Sequence, residues 1–374
     1  MRSRKHIIVT KLFEFGGSNT HLKTLIKYFG AENIILVIED EGQLKWLENI
    51  GNPDGLHIEV RSSLHKFAHL VYPSVLSNMK EACFVIKSIF AILLLSIRHG
   101  GADITICSVE AEKYLYLLWA PFIRVIYILH STPPEKFTRF TSYTCNTRLG
   151  RRKQIITVSN ANKKEICTSW EINPEKQQFV QVVYNCLLKD AADKPTKVAG
   201  HGIKNIVTMG HVIAYKNPHV WLEVARQITQ AQPEVRFTWL GNGSLFDHFS
   251  NATEDTDRIN FAGFTANTDE YLVSATLYYQ PSIHETHGIS VVEAMYHSLP
   301  CVVANAGGLP ESVQENYNGL LADPHNIEAN VDAIVSLIND EERLKTFGEN
   351  GYKRYLDLFT FEKFKLKMDA IYYN

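Results

Sequence analysis

No C-x-x-C pair and no metal-ligand spacing occurs among the six cysteines, at positions 83, 107, 145, 167, 186 and 301. That argues against a zinc ribbon, a thioredoxin-like redox centre or a disulfide framework. It fits a reducing compartment, where such thiols behave as small buried hydrophobes. A long apolar run is also missing. The most apolar stretch, residues 84–97, is interrupted by Lys87 and is shorter than the ~20 residues a membrane crossing needs. A buried or interfacial helix is expected there. Met1 to Lys5 is basic, but Ile7-Ile8-Val9 is too short for the core of a signal peptide, so none is expected. Low-complexity tracts and short-period repeats are absent. So is a large charge excess: the formal charge is −2 over 374 residues.

The charge is uneven along the chain. Residues 1–190 hold 24 Lys+Arg against 17 Asp+Glu, a balance of +7, and residues 191–374 hold 14 against 23, a balance of −9. A basic N-terminal half suits an anionic partner such as a phospholipid surface or a lipid pyrophosphate. An unevenly charged solvated surface accounts for the same numbers. Residues 136–153 are basic with interleaved Phe and Tyr, a pattern that in single-strand binders stacks bases. The stretch is short and the C-terminal half is acidic, so no nucleic-acid partner is expected. An acceptor-side or membrane-facing surface fits better.

At this length two domains are expected. Short apolar runs alternate with helical periodicity from the start. His6 to Val9 begins a strand, Gly16-Gly17-Ser18 makes a loop, and Leu22, Leu25, Ile26, Tyr28 and Phe29 mark a helix. A glycine loop between a first strand and a first helix is where phosphates approach backbone, although many such turns bind nothing. Further strands read at 33–38, 103–106, 125–129 and 155–159, with Ser159 or Asn160 as the N-cap of the next helix. His130 follows the strand at 125–129, a position that in a parallel sheet lines the ligand crevice. A capped loop histidine is the ordinary alternative. Residues 189–204 are polar with Pro and Gly and read as a linker. A second unit begins with the strand 206–209 and its Gly210 turn, followed by a helix at 219–228 and strands at 237–240 and 259–264.

The densest stretch is residues 283–319. Glu285 leaves a strand, His287 and Gly288 open a helix, and Val291, Val292, Ala294 and Met295 give that helix its apolar face. Pro300 stops it. Cys301 to Ala304 is a buried strand, and Gly307-Gly308 makes the next turn. A helix N-terminus suits a phosphate or diphosphate. Glu293, over one turn into the helix, is placed to accept hydrogen bonds from the two hydroxyls of a ribose, and Glu285 faces whatever lies beyond the phosphates. Diphosphate, ribose and a third group describe a nucleotide sugar.

Glu285, seven residues, then Glu293, followed by A-M-Y-H-S-L-P-C-V-V-A-N-A-G-G-L-P-E, resembles the signature of retaining glycosyltransferases of family 4. The resemblance implies an α/β GT-B fold: two Rossmann-like doubly wound domains facing across a cleft that holds the active site. It implies boundaries at 1–188 for an acceptor-binding domain, 189–204 for the linker, 205–356 for the nucleotide-sugar domain, and 357–374 for a helix packing back on the first domain. It implies donor contacts from Gly16, Gly17, Lys216, His287, Gly288, Ile289, Ser290 and Glu293, a base-contacting loop at Gly263 and Phe264, and His130 and Glu285 at the transferred sugar. The family's arginine five positions before the lysine is replaced here by His211, which lacks arginine's fork and is mostly neutral at pH 7.

No metal is expected to be required. Asp255-Thr256-Asp257 spells D-x-D but lies in an acidic loop before a strand, and H-E-T-H at 284–287 lacks the spacing that puts two ligands on one helix face. The expected partners are a nucleotide-sugar donor, a glycan or lipid-linked acceptor, and an anionic membrane touched peripherally by a cytoplasmic protein. Two other readings stay open: an epimerase or hydrolase of nucleotide sugars on the same fold, and a degenerate partner subunit of a glycosyltransferase.

Overall fold

The computed structural model describes residues 4–12, 17–51, 53–61, 75–108, 110–131, 139–190, 193, 195–196, 202–253 and 257–373, with backbone only at 75–81, 112 and 139. The chain divides into two compact units, Met1–Val183 and Tyr184–Asn374.

The first unit is built on one parallel sheet. Its strands are β1 (His6–Thr10), β2 (Ile34–Ile38), β3 (His57–Val60), β4 (Asp103–Cys107), β5 (Val125–Leu129), β6 (Lys153–Thr157) and β7 (Val180–Val182), in the order β3-β2-β1-β4-β5-β6-β7. β1, β2, β4 and β5 are buried at every position, which is why they read as continuous Ile/Val/Leu runs rather than alternating ones. The helices are α1 (Gly17–Phe29), α2 (Val75–Arg98), α3 (Arg139–Arg148) and α4 (Asn160–Ser169). Ser159 caps α4, its Oγ accepting from the Asn162 N–H at 2.9 Å. Two 3₁₀ segments, Glu41–Ile50 and Ala111–Trp119, fill connections that the apolar pattern left unassigned.

The second unit repeats the plan. Strands β8 (Lys204–Met209), β9 (Val235–Leu240), β10 (Ile259–Gly263), β11 (Leu277–Gln280), β12 (Cys301–Ala304) and β13 (Gly319–Ala322) run parallel in the order β10-β9-β8-β11-β12-β13. The helices are α5 (Pro218–Ala231), α6 (Phe246–Asn251), α7 (Thr268–Ser274), α8 (Ile289–Tyr296), α9 (Leu309–Ser312), α10 (Ile327–Ile338), α11 (Glu341–Leu358) and α12 (Phe361–Tyr372). An aromatic cluster fills one side of the sheet: Trp221 meets Trp239 at 5.3 Å and Phe261 at 4.9 Å between ring centroids, and its Nε1–H donates to Thr208 Oγ1 at 2.7 Å. Buried rings of this size stabilise by area and by edge-to-face geometry.

In both sheets the strand order reverses beside the first strand, between β1 and β4 and between β8 and β11. Loops leaving such a point diverge and open a crevice at the carboxyl ends of the strands. The helix expected from His287 starts two residues later, at Ile289, because Gly288 takes a left-handed φ of 84° and serves as its cap.

Candidate functional site

Two loops leave the second unit's switch point. One runs from Gly210 through His211 to Lys216; the other runs from Pro281 through Glu285 to Gly288. Their charged ends meet: Lys216 and Glu285 form an ion pair, each side chain 13% exposed. A buried amide supports the carboxylate. Gln280, the last residue of β11 and 1% exposed, donates through Nε2 to Glu285 Oε2 at 3.0 Å and to Ser282 Oγ at 3.2 Å. Its Oε1 accepts from Ser290 Oγ and from Tyr278 OH, both at 2.9 Å. One side chain thus joins the strand end, the loop carboxylate and the first turn of α8.

The main chain of Glu285 is held from the other side by the glycine turn before α9. Gly308 N–H donates to Glu285 O at 2.7 Å. Gly307 has a φ of 53°, and a Cβ there would stand 2.0 Å from the same carbonyl oxygen. Only glycine satisfies both conditions.

Glu285 lies just ahead of the N-terminus of α8, where the first backbone N–H groups have no partner within the helix and the dipole favours an anion. Ile289 and Ser290 are half-buried there. Further along α8, Glu293 Oε1 accepts from Thr268 Oγ1 at 3.0 Å and lies 3.6 Å from Lys189 Nζ. Burial lifts the Glu293 carboxyl above its ordinary value, with Lys189 working against that shift. Lys189 also pairs with Asp269, whose Oδ1 is 2.8 Å from Nε2 of His297. Burial opposes ionisation of Asp269, but its bonds to Lys189 and His297 leave its value lowered.

The histidines differ in setting. His211 is half-buried, and burial together with the Lys216 charge lowers its pKa, so the imidazole is neutral at neutral pH. His287 is 1% exposed, stacked on Tyr184 and edge-on to Phe359, each at 5.3 Å. Burial pushes it down to about 4, and neither ring nitrogen makes a hydrogen bond among the described residues. It packs beneath the loop as a neutral ring. Gly263 closes β10 and accepts the Gly241 N–H at 2.8 Å; Phe264 follows it, 57% exposed.

In the first unit, Gly16 lies outside the described residues, as do Asp255 and Thr256 of the D-x-D letters in the second, and Gly17 is the first residue of α1. His130 follows β5 and is half-buried. Its Nε2 is 3.8 Å from Cys107 Sγ, and its ring meets His21 edge-on at 4.1 Å. Burial pushes the Cys107 thiol up to about 12, so it remains protonated.

Lys216, Glu285 and Ser290 thus share one contact network, with His211 within reach of the Lys216 charge and Gly288 and Ile289 adjoining Ser290. Glu293 stands at a second cluster along α8. Members of these clusters escaped the sequence reading, among them Gln280, Thr268 and Lys189. Gln280 carried a signal, a polar residue ending the apolar run Leu277-Tyr278-Tyr279 in a strand buried on both faces. Thr268 and Lys189 carried none, since only folding brings them to Glu293.

A six-stranded parallel sheet reversing beside its first strand, with a helix N-terminus and a lysine at the switch point, defines a Rossmann-like domain. Two such units in one chain make the GT-B fold. Comparison with known proteins narrows the class: residues 192–354, within the second unit, match the family described as glycosyl transferases group 1.

An uncharacterized glycosyltransferase of Haemophilus influenzae is 28% identical over 194 residues, 50% of this chain and 52% of that protein. The poly(ribitol-phosphate) alpha-N-acetylglucosaminyltransferase of Staphylococcus aureus is 25% identical over 170 residues, 44% of this chain and 33% of that protein. The chain spans about half or less of the length of the curated relatives it matches. Among solved structures, Anabaena HepE in complex with UDP and glucose is similar over 98% of both chains, with a TM-score of 0.73 at 18% identity.

Proposed function

We propose that the protein is a retaining glycosyltransferase that moves a hexose from a nucleoside-diphosphate sugar to an acceptor hydroxyl. The observation that carries this reading is the Lys216–Glu285 pair set at the switch point ahead of the N-terminus of α8, with Glu293 further along the same helix. The UDP held by the similar HepE structure supports a nucleoside diphosphate as the carrier.

The chemistry follows from positioning and electrostatics. Lys216 and the N–H groups near Gly288 and Ile289 stabilise the leaving diphosphate, joined by the Gly16-Gly17 loop on the resemblance alone. An arriving diphosphate competes with Glu285 for the Lys216 ammonium, which frees Glu285 to face the sugar. Glu285 then stabilises positive charge at the anomeric carbon, and His130 positions the sugar. The phosphate oxygen that departs takes the acceptor proton, so neither carboxylate acts as in a glycosidase. Glu293 holds the ribose, and Phe264 lies in the loop assigned to the base. No metal ion enters these steps.

The acceptor is a glycan or a lipid-linked glycan in cell-surface polysaccharide assembly, a reading supported by the poly(ribitol-phosphate) for which the Staphylococcus aureus relative is named. Peripheral contact with an anionic cytoplasmic membrane belongs to the same reading. His211 in the arginine position favours one rival, a degenerate partner subunit.

The test is incubation of the protein with a panel of UDP-, GDP- and ADP-sugars and glycan acceptors, read by NMR. A product with the donor's anomeric configuration supports the proposal. Inverted product, or free sugar or an epimer formed without acceptor, contradicts it; no turnover with bound nucleotide favours the degenerate subunit.

A further inference from the structure

Helix α2 has two apolar faces, and the sheet uses only one. Ile92 and Leu95 are buried in the core of the first unit, with Val85 and Ile89 packed against it. That stripe follows helical spacing and accounts for the attachment of α2 to the sheet. The opposite stripe is apolar too: Ile86 is 66% exposed, Phe90 61%, Leu94 51% and Ile97 69%. A helix apolar all round is normally covered on all sides, and contiguous exposed apolar surface of this kind marks an interaction site.

Cations rim the ridge. Arg61, Lys87 and Arg98 line a shallow cavity of about 300 Å³ together with Phe90, Ala91, Leu94 and Leu95. Residues 82–98 contain no Asp or Glu. Glu59, beside the cavity, is already engaged by Arg61 and lies near His57 and His99. Among the described residues, no helix is long and apolar enough to cross a membrane.

We propose that the outer face of α2 is a docking surface for an anionic lipid bilayer, with Ile86, Phe90, Leu94 and Ile97 entering the acyl boundary and Lys87, Arg98 and Arg61 meeting headgroup phosphates. Charge decides between a bilayer and a second copy of the chain. A two-fold contact through this ridge sets Lys87 and Arg98 among their own copies, and the stretch 82–98 that carries the ridge has no acidic residue to neutralise them. An anionic surface removes that repulsion and draws further on the +7 balance of residues 1–190. The inference deepens the membrane part of the proposed function, but it stands on α2 and is read without donor or acceptor.

The experiment is co-sedimentation of the full chain with neutral phosphatidylcholine vesicles and with vesicles containing phosphatidylglycerol, at low and high salt. The wild type is compared with Phe90→Ser/Leu94→Ser and with Lys87→Glu/Arg98→Glu. Circular dichroism and nucleotide binding confirm the fold of each variant, since all four positions lie outside the candidate site.

The inference predicts binding to the anionic vesicles alone, weakened at least tenfold by either pair of substitutions and by high salt. Absence of binding by the folded wild type, or binding that both variant pairs leave unchanged, overturns it. So does a wild-type dimer in sedimentation velocity that the Phe90→Ser/Leu94→Ser variant dissociates, because the ridge then belongs to a second copy. Loss of vesicle binding with nucleotide binding intact separates failure of this surface from failure of the donor site.

Discussion

At Glu293, for which a ribose contact is proposed, burial works against the fold. A carboxyl whose folded value is raised binds its proton more tightly in the native state. The stability this confers is present below the unfolded value and is lost as pH rises through the folded one, so at neutral pH the ionised group destabilises. Glu293→Gln is therefore expected to raise the melting temperature at pH 7, with the gain shrinking as the pH approaches 4, in calorimetric scans across that range. The same site predicts the opposite effect on function. Charge-assisted hydrogen bonds contribute about 1.5–3 kcal/mol, so Glu293→Ala should weaken nucleotide binding by about 10- to 100-fold in isothermal titration; an unchanged affinity contradicts the ribose assignment. At His211 the ring is neutral, its value lowered by burial and by Lys216. His211→Arg adds a fixed fork toward the diphosphate and is expected to tighten nucleotide binding by about tenfold, on the scale of one charged hydrogen bond. A weaker or equal affinity in that variant would show that the position does not meet the phosphates.

The glycine turn at Gly307-Gly308 and the end of β11 act together on the loop that carries Glu285. Gly307→Ala combines a left-handed φ with a Cβ at 2.0 Å from Glu285 O, so about 1–3 kcal/mol of strain is expected as a lowered midpoint in denaturant unfolding, with transfer activity lost ahead of the fold. Gln280→Leu leaves Ser290 and Glu285 without their amide and is expected to cost about 1–3 kcal/mol; a wild-type midpoint would mean the amide network adds nothing to stability. These elements also show what could be read from sequence. The strands of both sheets were legible because their buried runs are continuous, and α8 was legible from Val291, Val292, Ala294 and Met295. Its start was displaced by two residues because the left-handed cap at Gly288 depends on the loop around it. Gln280 was visible as a polar interruption. Lys189 was read only as linker, since its pairing with Asp269 and Glu293 joins residues 80 or more positions apart. The 3₁₀ segments have no period that distinguishes them from loops.

At the scale of the molecule, two Rossmann-like units differ in what they present. The second gathers a lysine, two carboxylates and a helix N-terminus in its acidic half of the chain, where fixed dipoles and Lys216 supply positive potential locally against a balance of −9 for residues 191–374. The first is basic, and it exposes an apolar ridge on α2. If the second unit takes a nucleoside diphosphate as proposed, the stability of the native state rises as the ligand concentration climbs above its dissociation constant. The most direct measurement is therefore the melting temperature of the protein against UDP, GDP, ADP and their sugars, with Mg²⁺ and with EDTA. The account predicts a saturable rise with one base, equal in the presence and absence of the metal and moved to about 10- to 100-fold higher nucleotide concentration in Glu293→Ala. No rise with any of these nucleotides in the folded protein, or a rise that EDTA removes, would contradict it.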